Sequence, residues 1–85
     1  MADLHRALGD ATRLRILKAL AEKDLYGAEL AAQLDISKPT VSHHMAQLRA
    51  AGLVTAVQAG SAVYYSLRRE RVQDALTDLT RFLVG

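Results

Sequence analysis

The chain has 85 residues, a formal net charge of +2 and no cysteine. This length predicts one small domain over 1–85, and the lack of cysteine excludes both a disulfide and a thiolate metal site. The weak positive charge permits nucleic-acid binding without establishing it. No apolar run approaches the length of a membrane span and no signal peptide is visible, so we expect no membrane contact and a cytoplasmic location.

The first part of the chain predicts two helices. Leu4 and Leu8 lie on one side of a short helix over 3–8. Asp10 is a typical helix-start residue and is expected to cap a second helix over 11–22. Four apolar side chains cover most of the circumference of this second helix and predict burial on several sides: Leu14, Ile16, Leu17 and Leu20.

The middle of the chain predicts a helix-turn-helix. Residues 24–26 form a brief extended connector, and residues 27–34 form a short helix with inward-facing leucines. Residues 35–37 make a tight turn into a longer helix over 38–51. Two helices joined by so short a turn are typical of a helix-turn-helix.

Clear start and end signals bound the helix over 38–51. Ser37 is a preferred first cap, and Pro39 is tolerated only in a first turn. Gly52 supplies the left-handed residue that commonly ends a helix. These signals predict a helix of more than three turns.

Two short β-rich runs follow, and then a last helix. Residues 53–58 and 63–67 stand on either side of a turn at 59–61 and predict a two-stranded hairpin. The last helix is predicted over 69–84. The fold class is therefore mainly α with a small β-hairpin (α+β): a winged helix-turn-helix with about five helices and a two-stranded wing.

One face of the helix over 38–51 carries groups suited to DNA. Val41, Met45 and Leu48 recur at i, i+4 and i+7 and predict one buried stripe. The opposite side carries small or planar polar groups that can hydrogen-bond base edges or phosphates. An ordinary solvated face is the alternative, but such faces are usually rich in glutamate and lysine, which residues 39–48 lack. The predicted DNA-binding residues on this helix are Lys38, Thr40, Ser42, His43 and Gln47.

The last helix predicts a homodimer. Its apolar side chains form a stripe that is wider than one contact inside a small monomer requires. The N-terminal leucines are expected to lie beside that stripe. The predicted dimer interface consists of Leu4, Leu8, Val72, Ala75, Leu76, Leu79, Phe82 and Leu83.

No residue pattern predicts an enzyme, a cofactor or a metal site. The chain has no nucleophile paired with a base and no glycine-rich phosphate loop. Asp74 and Asp78 share one face of the last helix, but two carboxylates are weak ligands for a transition metal. We interpret them as part of a solvated face. His44 is expected to pack beside the buried stripe with one local hydrogen bond, and the adjacent His43 points elsewhere.

The chain resembles the ArsR/SmtB family of bacterial winged-helix repressors. The resemblance is carried by three stretches, namely ALGDATRLRILKAL at 7–20, GAELAAQLDISKPTVSHHMAQLRAAGLV at 27–54 and GSAVYYSL at 60–67. It implies a homodimer formed by the first and last helices. It also implies a sequence-specific regulator that binds a palindromic double-stranded DNA operator and is released by an effector, which the sequence does not identify.

Three departures from the family pattern bear on function. Tyr26 and Ala28 stand where the family's thiolate metal site has cysteines, so we expect no metal sensing through cysteine. The last helix carries two aspartates but lacks the histidine of the family's other metal site. The wing tip at 59–62 is uncharged, which leaves Arg68 and Arg69 as the nearest basic residues for contact with DNA phosphates.

Two other functions remain open at this point. The chain could be the DNA-binding domain of a longer regulator, because the segment before Leu4 is short for a dimerising helix. It could also be a winged helix that binds protein, which the uncharged wing allows and which fold alone does not exclude.

Overall fold

The computed structural model describes residues 10–85 and confirms the winged helix-turn-helix. It contains, in chain order, α1 (Ala11–Glu22), β1 (Leu25–Tyr26), α2 (Gly27–Leu34), α3 (Lys38–Ala50), β2 (Val54–Ala59), β3 (Ala62–Leu67) and α4 (Arg69–Val84). The described residues thus hold four helices. The predicted first helix over 3–8, with Leu4 and Leu8, lies outside them. No helix within residues 10–85 is both long and apolar enough to cross a membrane.

The sheet has three strands where the sequence predicted two. Its order is β1-β3-β2, and both pairings are antiparallel. The predicted connector at 24–26 contributes the extra strand, because Leu25 pairs with Tyr65 and Tyr26 pairs with Tyr64. This pairing places the Leu25 side chain in the core. A run of two residues is too short to show the alternation by which strands are recognised.

The predicted helix ends are confirmed. The Asp10 carboxylate accepts a hydrogen bond from the Arg13 backbone N–H at 3.1 Å. The Ser37 hydroxyl accepts one from the Thr40 backbone N–H at 3.2 Å. Gly52 follows α3 with a φ of 76°, in the left-handed region that glycine adopts without strain. These caps satisfy backbone groups that helix ends would otherwise leave unpaired.

The buried face of α3 is the predicted stripe. Val41, Met45 and Leu48 are all buried, and they pack in one core with residues of α1, α2 and the sheet. The opposite side of α3 therefore faces outward. The core holds the helix at this rotation, since turning it would expose large apolar side chains to water.

The buried face of α1 differs from the prediction. Leu14 is 47% exposed, whereas Arg13 is only 8% exposed. The reason is helical spacing, because Arg13 precedes Ile16, Leu17 and Leu20 by three, four and seven residues and so lies on their face. Leu14 falls almost opposite Ile16. The helix is buried on one broad face and not around most of its circumference.

Candidate nucleic-acid interface

Thr40, His43 and Gln47 share the outer side of α3, whereas Lys38 and Ser42 lie on the flank that faces Gly27 and Tyr65. Lys38, Ser42 and His43 are exposed, and Thr40 and Gln47 are half-buried. Alanines at positions 46 and 50 are also exposed and keep this side of the helix narrow. A narrow polar helix face has the dimensions that a DNA major groove admits.

The first turn of α3 is suited to phosphate. Its backbone N–H groups carry partial positive charge, and the Lys38 ammonium adds to it. The Thr40 hydroxyl lies 2.7 Å from the Ser37 hydroxyl, and these two groups share a hydrogen bond within the cap. The Thr40 hydroxyl is therefore part of the N-terminal cap of α3, which leaves it fewer hydrogen-bonding positions for a base edge.

A side-chain hydrogen bond joins α3 to α1. The Arg13 Nε–H donates to Nδ1 of His44 at 3.3 Å. His44 is half-buried, as predicted, but its partner lies on another helix and not in the neighbouring turn. Arg13 is a residue that the sequence analysis missed. Its position on the core face of α1 was the only signal, since an arginine there needs a polar acceptor.

The charge state of His44 follows from this environment. Burial lowers the pKa of His44 below the ordinary value for histidine, and Arg13 and His43 add to this effect. Asp10 acts in the opposite direction and is outweighed. The neutral imidazole that accepts the Arg13 hydrogen bond is thus the favoured form at neutral pH.

This pKa predicts a loss of stability in mild acid. A histidine whose pKa is lower in the folded state than in the unfolded state stabilises the fold at pH values above its unfolded-state pKa of about 6.5. This stabilisation is lost as the pH falls through the folded-state pKa. Urea unfolding at about pH 7.5 and about pH 5.5 should show a smaller pH-dependent loss in His44→Gln, whose amide oxygen still accepts from Arg13.

The matched control for this measurement is His43→Gln, because His43 is exposed. It should retain most of the pH dependence of the natural chain, because His43 makes only the smallest of the contributions to the lowered pKa of His44. The pKa of Asp10 is also lowered, chiefly by the Arg13 backbone N–H, but a lowered carboxyl pKa acts in a more acidic range. An unchanged pH dependence in His44→Gln would show that the hydrogen bond does not set the acid response.

The two arginines predicted for phosphate contact have different surroundings. Arg69 Nη2 donates to the Ala21 carbonyl oxygen at 2.5 Å, at the C-terminal end of α1. Arg68 is exposed, and its backbone N–H donates to the Leu53 carbonyl at 2.8 Å. In this conformation, the Arg69 side chain satisfies a backbone carbonyl at the C-terminal end of α1. Of the two side chains, that of Arg68 is more open to a phosphate.

The wing tip is polar but uncharged, as the sequence indicates. Gly60 turns the chain with a φ of 63°, and the Gln58 side-chain amide donates to its carbonyl at 2.9 Å.

An aromatic pair lies on the outer face of the sheet, where the rings of Tyr26 and Tyr64 are 4.7 Å apart. Partial burial raises the pKa of Tyr64, and the nearby Asp24 adds to this.

The apolar stripe of α4 divides between the chain's own core and the surface. Ala75 is 1% exposed and belongs to the core, and Val72 and Leu79 pack against that core. Ala75 was predicted at the dimer interface, but its side chain is covered by its own chain. By contrast, Leu76 is 48% exposed, Leu83 70% and Phe82 71%. The surface available to a partner is therefore narrower than predicted.

The described residues show no preformed metal site. Within residues 10–85 no group of three or more histidine, aspartate or glutamate side chains lies close enough to hold an ion. Asp74 is exposed on α4, whereas Asp78 is half-buried. The exposure of Asp74 fits the predicted solvated face, and Asp78 lies at the edge of that face.

Comparison with known proteins identifies the family. The family described as "Bacterial regulatory protein, arsR family" matches residues 10–56. The transcriptional regulator CmtR of Mycobacterium tuberculosis is 40% identical over the whole chain and 72% of its own length. The transcriptional repressor SdpR of Bacillus subtilis is 32% identical over 98% of this chain and 92% of its own.

A solved structure agrees with this assignment. The crystal structure of a possible transcriptional regulator for arsenical resistance superposes with a TM-score of 0.88 at 26% identity, covering 98% of this chain and 86% of the other. The three proteins named here are all described as transcriptional regulators or repressors, and the matching family is one of regulators and not of enzymes. The chain belongs to the ArsR family of bacterial transcriptional regulators, which are DNA-binding proteins of the repressor type.

Proposed function

We propose that this regulator binds a palindromic operator as a homodimer, with α3 of each copy in the major groove. The observation that carries the proposal is the outer side of α3, which is polar, free of acidic residues and narrowed by exposed alanines. Acidic side chains would be repelled by phosphates, and bulky ones would keep the helix out of the groove. The first turn of α3 adds positive charge at the end where a phosphate would bind.

The contacts can be divided by chemistry. His43 and Gln47 have planar groups that can hydrogen-bond base edges, and we assign them to base recognition. Lys38, Ser42 and Arg68 are exposed and suit phosphate contact. We place Thr40 at the edge of the proposed DNA interface, because its hydroxyl is hydrogen-bonded to Ser37 in the N-terminal cap of α3. Arg69 would contact a phosphate only after its hydrogen bond to the Ala21 carbonyl had broken.

The base contacts make a quantitative prediction. Selection of bound duplexes from a random pool should enrich a palindrome, which provides the operator for a binding assay. Gln47→Ala and His43→Ala should each cost about 1–3 kcal/mol on that operator and relax base preference at one position. Binding to random duplex DNA should change much less, because it depends on phosphate contacts.

A matched control is Gln33→Ala, since Gln33 is an exposed glutamine on α2 and away from the proposed interface. It should bind the operator like the natural chain. Equal losses on operator and random DNA would reassign Gln47 and His43 to phosphate contact. Failure to enrich any sequence from the pool would contradict sequence-specific binding itself.

The exposed part of α4 supports the proposal of a homodimer. Leu76, Leu83 and Phe82 present apolar surface that water does not favour, and a second copy could cover it, together with Leu4 and Leu8. Two-fold pairing would place the two α3 helices in successive major grooves about 34 Å apart.

We also propose that this chain works in the cytoplasm, where bacterial DNA lies. We further propose that it does not sense metal through cysteine, since it has none.

A further inference from the structure

A cavity of about 300 Å³ opens beside the proposed DNA interface. It lies where the start of α2, the first turns of α3 and the wing meet. Tyr26 and Gly27 line it from the α2 side, Lys38 and Ser42 from α3, and Tyr65 from β3. This volume is at the lower end of the range that small-ligand sites occupy.

One residue that lines the cavity is a largely buried tyrosine whose hydroxyl has no protein partner among the described residues. Tyr65 is only 7% exposed, and its hydroxyl makes no hydrogen bond to any side chain or backbone group of residues 10–85. The ring lies close to Gly27, where an added Cβ would be 3.4 Å from Cε2. A polar group on a largely buried side chain normally has a hydrogen-bond partner, because leaving it unpaired away from water costs free energy. A ligand with an acceptor oxygen would supply that partner.

The remaining lining defines the chemistry of such a ligand. Lys38 is the one charged side chain among the described residues that line the cavity. A carboxylate can accept hydrogen bonds from a phenol and an ammonium together, and such charge-assisted bonds are the stronger kind. Val41, Ala62 and Val63 add apolar walls that suit a hydrocarbon body. A body of one aromatic ring fits within this volume.

We propose that this cavity is an effector site for a small aromatic carboxylate. The carboxylate would bind the Tyr65 hydroxyl and the Lys38 ammonium, and the ring would lie against the apolar walls. The effect on DNA rests on the proposed function, because Lys38 and Ser42 belong to both surfaces. A bound carboxylate would neutralise Lys38 and occupy the space beside the first turn of α3. DNA and ligand would therefore compete.

The direct test is a titration of the DNA-free chain with benzoate, followed by ¹H–¹⁵N correlation spectra. Saturable shifts should cluster at the amides of Gly27, Ser42 and Tyr65. Tyr65→Phe keeps the ring and removes the hydroxyl, and it should weaken benzoate binding about tenfold or more. The neutral analogue benzamide should also bind about tenfold more weakly to the natural chain.

Tyr64→Phe is the matched control, because Tyr64 precedes Tyr65 and faces the other side of the sheet. It should bind benzoate like the natural chain. Shifts that do not saturate, or equal affinities for natural chain and Tyr65→Phe, would overturn the site. Equal binding of benzamide would overturn the assignment to a carboxylate.

A second arm measures operator binding with and without benzoate. Benzoate should weaken operator binding by the natural chain and have a much smaller effect on Tyr65→Phe. Benzoate binding that leaves operator affinity unchanged would overturn the competition while supporting the cavity as a site. If the chain bound no DNA at all, the proposed function would fail, and the titration of the DNA-free chain would still decide on the cavity.

Discussion

Leu20→Ala is expected to lose about 2–5 kcal/mol of unfolding free energy, whereas Leu14→Ala should lose less than about 1 kcal/mol. Both leucines lie on α1, and the substitution is identical. Leu20 is 1% exposed in the middle of the core, but Leu14 is 47% exposed. The truncation of Leu20 leaves a cavity among packed side chains, and the truncation of Leu14 removes atoms that largely contact water.

The effect at Leu20 is large for a domain of this size. Small domains have total stabilities of about 5–15 kcal/mol, so the variant should have lost a substantial part of its stability. Urea unfolding followed by circular dichroism measures both variants. The protein concentration must be equal, because dimerisation adds to apparent stability. A loss above about 2 kcal/mol in Leu14→Ala would show that Leu14 is covered in the assembled protein.

Helix α3 shows where sequence reasoning succeeds. A helix that packs on one side repeats its apolar residues at i, i+4 and i+7. Val41, Met45 and Leu48 follow that spacing. The rotation of α3 could therefore be predicted, and with it the outward direction of His43 and Gln47. The caps could be predicted too, because each depends on local groups.

The errors arise where an apolar residue and a polar one compete for the same helix face. Leucine is a common core residue, so Leu14 was expected inside and Arg13 was not considered. The burial of Arg13 is compensated in part by the Nδ1 acceptor of His44 and by the Asp10 carboxylate, 4.0 Å from Arg13 Nη2. On α4, the small Ala75 packs inward while the larger Leu76 remains half-exposed. Composition alone does not tell which of two neighbouring apolar residues faces the core.

Long-range pairing accounts for the other differences. The β1 strand exists because Leu25 and Tyr26 lie beside β3, about 40 residues later in the chain. Arg69 binds the Ala21 carbonyl across a similar separation. Likewise, three separate segments form the cavity around Tyr65. None of these contacts has a local signature, so the sequence could predict the outward polar face of α3 but not the cavity beside it.

The double variant Leu76→Glu/Leu83→Glu is expected to convert the proposed homodimer to a monomer and to weaken operator binding by about 10²–10⁴-fold. The two residues are seven apart, which places them one above the other on the same side of α4. Both are exposed in the single chain, so the added carboxylates should leave its core intact. In a two-fold dimer, each glutamate would lose its water or face a like charge.

Sedimentation and operator binding measure the two halves of this prediction. A dimer that contacts two half-sites gains affinity because its second contact is intramolecular, and a monomer lacks that gain. Binding to an isolated half-site should therefore change little. Phe82→Glu tests the flank of the interface, because Phe82 is also exposed. Thr77→Glu is the matched control, with the same charge added at an exposed polar position on the same helix.

The result decides which surface holds the dimer together. If α4 supplies the interface, the double variant sediments as a monomer, Thr77→Glu remains a dimer, and both keep the unfolding behaviour of a folded domain. A double variant that remains a dimer would assign the interface to another part of the chain. A double variant that is monomeric but binds the full operator as tightly as the natural chain would contradict the two-half-site arrangement, because avidity requires both copies on one DNA.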